Sequence, residues 1–122
     1  MRNGFLFLFL GTALASFAQS PDWPKVDEEA MRHFQALVRI DSTDPPGNET
    51  KVVEYVKKVL EAEGIPVTVA AKDPARANLI ARLKGNGSRR PLMIMGHSDT
   101  VRVDAAKWNF PPFSATRQGG YV

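Results

Sequence analysis

Cysteine is absent from the 122 residues, which excludes disulfides, thiolate metal ligands and a lipidated cysteine. Histidine is nearly absent, with two in the chain, His33 and His97. Basic residues never run longer than a pair, as at Lys57-Lys58 and Arg89-Arg90, and the formal charge is +3. That describes a solvated surface and gives no electrostatic footprint for nucleic acid. No apolar run reaches the roughly 20 residues of a stable membrane span. There is no phosphate-cradling glycine loop and no Gly-x-Ser-x-Gly elbow. Nor does the sequence place a base to activate Ser42 or Ser98, so covalent catalysis has little support. What remains is 43% hydrophobic and 24% charged, the balance of one modest globular domain.

The first 18 residues differ in character from the rest. Met1-Arg2-Asn3 gives a short positive start, Phe5 to Leu10 is unbroken apolar sequence, and Ser16-Phe17-Ala18 supplies small residues for a peptidase. This pattern predicts a signal peptide over residues 1–18, cut near Ala18, with Ala15 as a second cleavage point and an uncleaved anchor as the alternative. The expected destination is periplasmic or extracellular. An exported chain without disulfides must be held together by packing or by a bound ion.

Residues 19–25 form a lead-in with no periodic pattern. From Val26 the apolar positions Ala30, Phe34, Leu37 and Val38 predict a helix with one buried stripe, its start favoured by Asp27, Glu28 and Glu29. Asp41 to Gly47, with Pro45-Pro46, must be a loop. A second helix is expected from Asn48, carrying Val52, Val53, Val56, Val59 and Leu60, with Glu54 and Lys58 paired and Gly64 ending it. Strands are expected at 67–69, 78–83 and 92–95, with a turn over 85–88. Apolar on both faces, Leu92 to Met95 reads as the central strand. Gly119-Gly120-Tyr121-Val122 reads as the start of another turn and strand. Two helices and three strands predict an α/β domain with a helix-covered sheet.

The stretch Leu92 to Val101, LMIMGHSDTV, carries the candidate chemistry. Side chains two apart on an extended chain share a face, which groups His97 with Asp99. A metal-binding imidazole needs its other nitrogen held, and a carboxylate is a common holder. Gly96 permits close backbone approach and a sharp exit from the strand, and open α/β sheets place ligands beyond the carboxyl ends of strands. A satisfied core histidine explains the same residues, and a lone H-x-D is a short motif. His33, on the first helix, has a surface role. Trp108, Phe110 and Phe113 are expected to pack against the domain, with a substrate pocket as the second reading.

Four segments, in order, resemble a known family. They are RIDSTDPPGNE (Arg39 to Glu49), NLIARLKG (Asn78 to Gly85), LMIMGHSDTV, and KWNFPPFS (Lys107 to Ser114). The family is that of the zinc metallopeptidases and deacylases: acetylornithine deacetylase, succinyl-diaminopimelate desuccinylase, aminoacylase and glutamate carboxypeptidase. The resemblance implies that residues 19–122 are the amino-terminal part of a co-catalytic zinc peptidase catalytic domain, truncated, with the lid and dimerisation domain absent. It implies that His97 binds one of two zinc ions, with cobalt or manganese as substitutes. Asp99 would be a catalytic-site residue that clamps the imidazole. Arg102 stands where the family often has proline.

The family's Gly-Arg-Gly segment, bridging aspartate and Glu-Glu pair have no counterpart here. The implied function is zinc-dependent hydrolysis of amide bonds, as a peptidase, carboxypeptidase or N-acyl-amino-acid deacylase, with this fragment inactive alone. The substrate would be a small peptide or N-acyl amino acid, and the whole enzyme could dimerise through the missing domain. A non-catalytic exported α/β binding domain, or a decayed enzyme, is the alternative.

Overall fold

The computed structural model describes residues 20–122; the signal-peptide expectation for residues 1–18 lies outside them. The described elements are helix α1 (Trp23–Val38), helix α2 (Glu49–Ala62), strands β1 (Val67–Ala70) and β2 (Asn78–Ala81), and a 3₁₀ turn at Ala105–Lys107. Mixed α/β character is as expected, but the sheet has two antiparallel strands.

Helix α1 starts at Trp23, earlier than the apolar period predicts. Asp22 accepts from the Lys25 N–H at 3.4 Å, and Pro24 lies in the first turn. Proline suits that place because its missing N–H would have had no helical partner. Asp27 to Glu29 therefore fall beyond the first turn, and the cap is Asp22. The expected apolar stripe is not buried: α1 has no buried residue, and Phe34 is 50% exposed. Polar contacts attach the helix instead. His33 Nδ1 and the Tyr55 hydroxyl of α2 are hydrogen-bonded at 2.7 Å, with the two rings edge to face. Gln35 Nε2 donates to the Ala115 carbonyl at 2.8 Å.

Helix α2 matches its expected span. Asn48 makes no side-chain cap; the Thr50 N–H is met by the Ala75 carbonyl at 3.0 Å. At the other end, Gly64 has φ +70°. Its N–H reaches the Glu61 carbonyl at 3.0 Å, and Ile65 N–H reaches Leu60 at 2.9 Å. This is the paired closure that a left-handed glycine permits. The exposed ion pair on α2 is Lys57–Glu61, at 3.8 Å, one turn removed from the expected Glu54–Lys58.

Strands β1 and β2 pair in the register Val67↔Ala81 to Ala70↔Asn78. Helix α2 packs on this hairpin, and Val53 and Ala77 are buried. At 85–88 the Asn86 side chain accepts from both N–H and hydroxyl of Ser88. Gln118 and Tyr121 exchange both backbone bonds at 3.0 Å around Gly119 and Gly120, each at positive φ, the geometry of a tight hairpin turn.

Leu92 to Met95 departs from expectation. It pairs with no strand, and its side chains are exposed, Ile94 by 89%. A run apolar on both faces becomes a central strand only with neighbours on both sides. Among the described residues, β1 and β2 pair with each other and neither pairs with this run.

Tyr55→Phe removes a hydroxyl without altering the ring, so it isolates the bond between the helices. The expected loss is about 1 kcal/mol, seen as a lower urea midpoint at unchanged m. An unaltered midpoint would show that this hydrogen bond does not hold α1 in place.

Candidate metal centre

His97 and Asp99 lie on the unpaired segment that follows Met95. His97 Nδ1 is 3.0 Å from Asp99 Oδ1. The imidazole is 83% exposed and the carboxylate 44%. Among the described residues the imidazole is therefore at the surface and outside the core. In the neutral tautomer that donates Nδ1–H to the carboxylate, Nε2 keeps its lone pair for a ligand. Gly96 makes no close approach: a methyl group there would meet nothing within 4 Å.

The pair is held by the loop between the helices. Ser42, the most buried side chain among the described residues at 2% exposure, donates its hydroxyl to the Ser98 carbonyl at 2.5 Å. Thr43 and Thr100 form an isolated parallel bridge. In it Asp44 N–H reaches the Thr100 carbonyl at 2.9 Å, and Thr100 N–H reaches the Ser42 carbonyl at 3.2 Å. Both sides of Asp99 are thus tied to Ser42–Asp44. Asp41 starts the loop, accepting from the Thr43 N–H at 3.0 Å.

A second polar group anchors the far end of the loop. Arg76 Nη2 lies 2.9 Å from Glu49 Oε1 and 3.2 Å from Asp44 Oδ2, with Nη1 3.3 Å from Asp44 Oδ1. The charges of Asp44 and then Glu49 raise the guanidinium pKa further above its ordinary value. Thr50 fastens the same corner, donating to the Pro74 carbonyl at 2.6 Å and accepting from Ala77 N–H at 3.0 Å.

Asp41, Thr43, Asp44 and Glu49 lie in the RIDSTDPPGNE segment, and the sequence offered Ser42 only as an unsupported nucleophile. It pointed to no positioning role for any of them, and Thr50 and Arg76 lie in none of the four segments. Glu49 and Arg76 are 27 positions apart with no motif between them. Ser42 proves to be a donor to a carbonyl, with no base beside it.

His97 and Asp99 border a cavity of about 880 Å³ that α2 and β2 also line. Trp108 and Phe110, both about half exposed, line a separate cavity of about 670 Å³ with Val38 and Tyr121. Neither ring shares a cavity with His97.

As a donor set for zinc, the residues present fit in part. His97 with its carboxylate partner suits one ligand position. No group of three or more His, Asp or Glu side chains that could hold a metal occurs among the described residues, whereas catalytic zinc takes about three protein ligands.

Comparison with known proteins finds similar sequences among acetylornithine deacetylases. The acetylornithine deacetylase of Vibrio atlanticus (strain LGP32) is 40% identical over 81 residues, covering 63% of this chain and 20% of its own length. That of Vibrio vulnificus (strain CMCP6) is 38% identical over 93 residues, covering 74% and 24%. That of Aliivibrio salmonicida (strain LFI1238) is 32% identical over 94 residues, covering 72% and 24%. No family model and no solved structure matches. In sequence the chain is similar to the amino-acid deacetylases so named. It spans about a fifth to a quarter of the length of these acetylornithine deacetylases.

The loop makes stability depend on pH. The hydroxyl and then the N–H of Thr43 hold the Asp41 carboxyl below its ordinary value of 3.8. A carboxyl whose pKa falls on folding stabilises the fold above its unfolded pKa, and that contribution fades as pH drops through the folded one. Asp41→Asn is expected to melt below the parent near pH 6, with the gap closing as the pH falls below the ordinary value of 3.8. A gap independent of pH would contradict the assignment.

Proposed function

We propose that this chain is part of a zinc-dependent hydrolase that cleaves the amide bond of an N-acyl amino acid, with His97 a metal ligand and Asp99 its orienting partner. The observation that carries the proposal is the 3.0 Å contact between His97 Nδ1 and Asp99 Oδ1 on an exposed segment. The names of the relatives support deacylation over peptide cleavage.

Zinc, when bound, supplies a water of lowered pKa and polarises a carbonyl. Asp99 holds the proton on Nδ1 and fixes the ring plane, leaving the Nε2 lone pair for the metal. Ser98 and Thr100, fastened to the loop on either side of Asp99, keep the pair in register. The cavity beside α2 and β2 gives a substrate room to approach His97.

The general base and the remaining ligands belong to the complete enzyme, as does any dimer. Two metal ions, with cobalt or manganese as substitutes, are part of the proposal. So are export through residues 1–18 and inactivity of residues 19–122 in isolation.

The test is acetate release from N-acetylornithine and related N-acyl amino acids. The protein is expressed with whatever follows Val122 in its reading frame. Hydrolysis that EDTA abolishes and zinc restores is expected. His97→Ala should lower kcat/KM by more than about 100-fold, since loss of even an outer partner costs 10–100-fold. Full activity in His97→Ala, or turnover by residues 19–122 alone, would overturn the proposal.

A further inference from the structure

Two features of the loop between the helices exceed what a simple connection needs. Its Ser42 is the most buried side chain among the described residues, yet that hydroxyl is spent on one carbonyl, Ser98, next to His97. At its other end Glu49 is buried, and its Oε2 has no hydrogen-bond partner. A buried carboxylate is tolerated only when a cation compensates it, and Arg76 at 2.9 Å is that cation. The same guanidinium forks onto both oxygens of Asp44, whose N–H holds Thr100. Gly47 closes the corner. A methyl group on it would stand 2.9 Å from Glu49 Oε2 and 3.2 Å from Arg76 Nε, and its φ is +83°.

The connection is therefore continuous. It runs from Glu49 at the start of α2 through Arg76 to Asp44, then across the Thr43–Thr100 bridge and the Ser42 hydroxyl to both flanks of Asp99. Among the described residues, the His97 segment has no strand neighbour to fix it. Its place is set by this connection.

We propose that the Ser42–Asp44 loop, locked by Arg76 between Asp44 and Glu49, is a brace that positions the His97–Asp99 pair for metal binding. Ser42 and Arg76 act as positioning residues: neither touches the ring, and each acts through the backbone at 98–100. The inference rests on the reading of His97 as a metal ligand.

Three proteins test it: the parent chain, Ser42→Ala and Arg76→Lys. Lysine keeps the charge but cannot fork onto one carboxylate while reaching the second. Far-UV circular dichroism checks that the helices persist. Zinc affinity at His97 is read from its imidazole signals by NMR. Ser42→Ala is expected to bind zinc at His97 about tenfold more weakly, the usual cost of losing an outer partner, with Arg76→Lys between it and the parent. If Ser42→Ala does not fold, Arg76→Lys decides.

A second readout needs no metal. Amide exchange at Thr100 should quicken severalfold in Arg76→Lys, although Arg76 makes no bond to Thr100. Parent-like zinc affinity in folded variants, or unchanged exchange at Thr100 in Arg76→Lys, would overturn the brace. A parent chain whose His97 ignores zinc would instead refute the metal-ligand reading and leave the exchange result to judge the brace.

Discussion

A segment that carries a candidate ligand but lies in no sheet must find its backbone hydrogen bonds elsewhere. Here they come from the loop between the two helices. Ser42 and Asp44 supply donors to the carbonyls of Ser98 and Thr100, and the Ser42 carbonyl receives the Thr100 N–H. Two short runs, 56 to 58 residues apart in sequence, so act as one piece. The orientation of Asp99, and through it of the His97 ring, depends on that joint more than on any packed core.

The core cannot carry this duty because it is small. Among the described residues, Val53, Ala77 and Ala115 are the buried apolar ones, and α1 is attached by His33–Tyr55 and Gln35–Ala115 rather than by its apolar side. Polar contacts lock the positions that matter. Arg76 joins three segments, the loop, the start of α2 and the approach to β2, and its two carboxylate partners keep it charged at any working pH. Its ion pairs are partly exposed, so their value lies in geometry more than in net stabilisation. The exception is Glu49, whose burial makes the pairing obligatory.

Much of the local structure was legible in the sequence. The period of α2, its glycine stop, the 85–88 turn and the hairpin at Gly119-Gly120 follow from backbone rules that act within a few residues. The start of α1 was not, because the apolar period begins after Asp22 and Pro24 have already set the first turn. Leu92 to Met95 differs from its expectation for a different reason: among the described residues it pairs with no strand. Its composition records what it could pair with, and pairing needs a neighbour that the described residues lack. At the site, the His97–Asp99 contact was readable because two residues on an extended chain share a face. The Ser42 donor and the Arg76 clamp were not, since they unite positions whose nearness is a product of the fold.

The central claim is that His97 presents Nε2 to a metal while Asp99 holds Nδ1–H. Long-range ¹⁵N–¹H NMR of the chain during a zinc titration tests it most directly, with His33 as an internal control. The account predicts a protonated Nδ1 at His97 before zinc is added, a zinc-dependent shift at its Nε2, and a His33 signal that stays fixed by Tyr55. A His97 signal indifferent to zinc, or one that responds through Nδ1 as the hydrogen bond to Asp99 breaks, would contradict it.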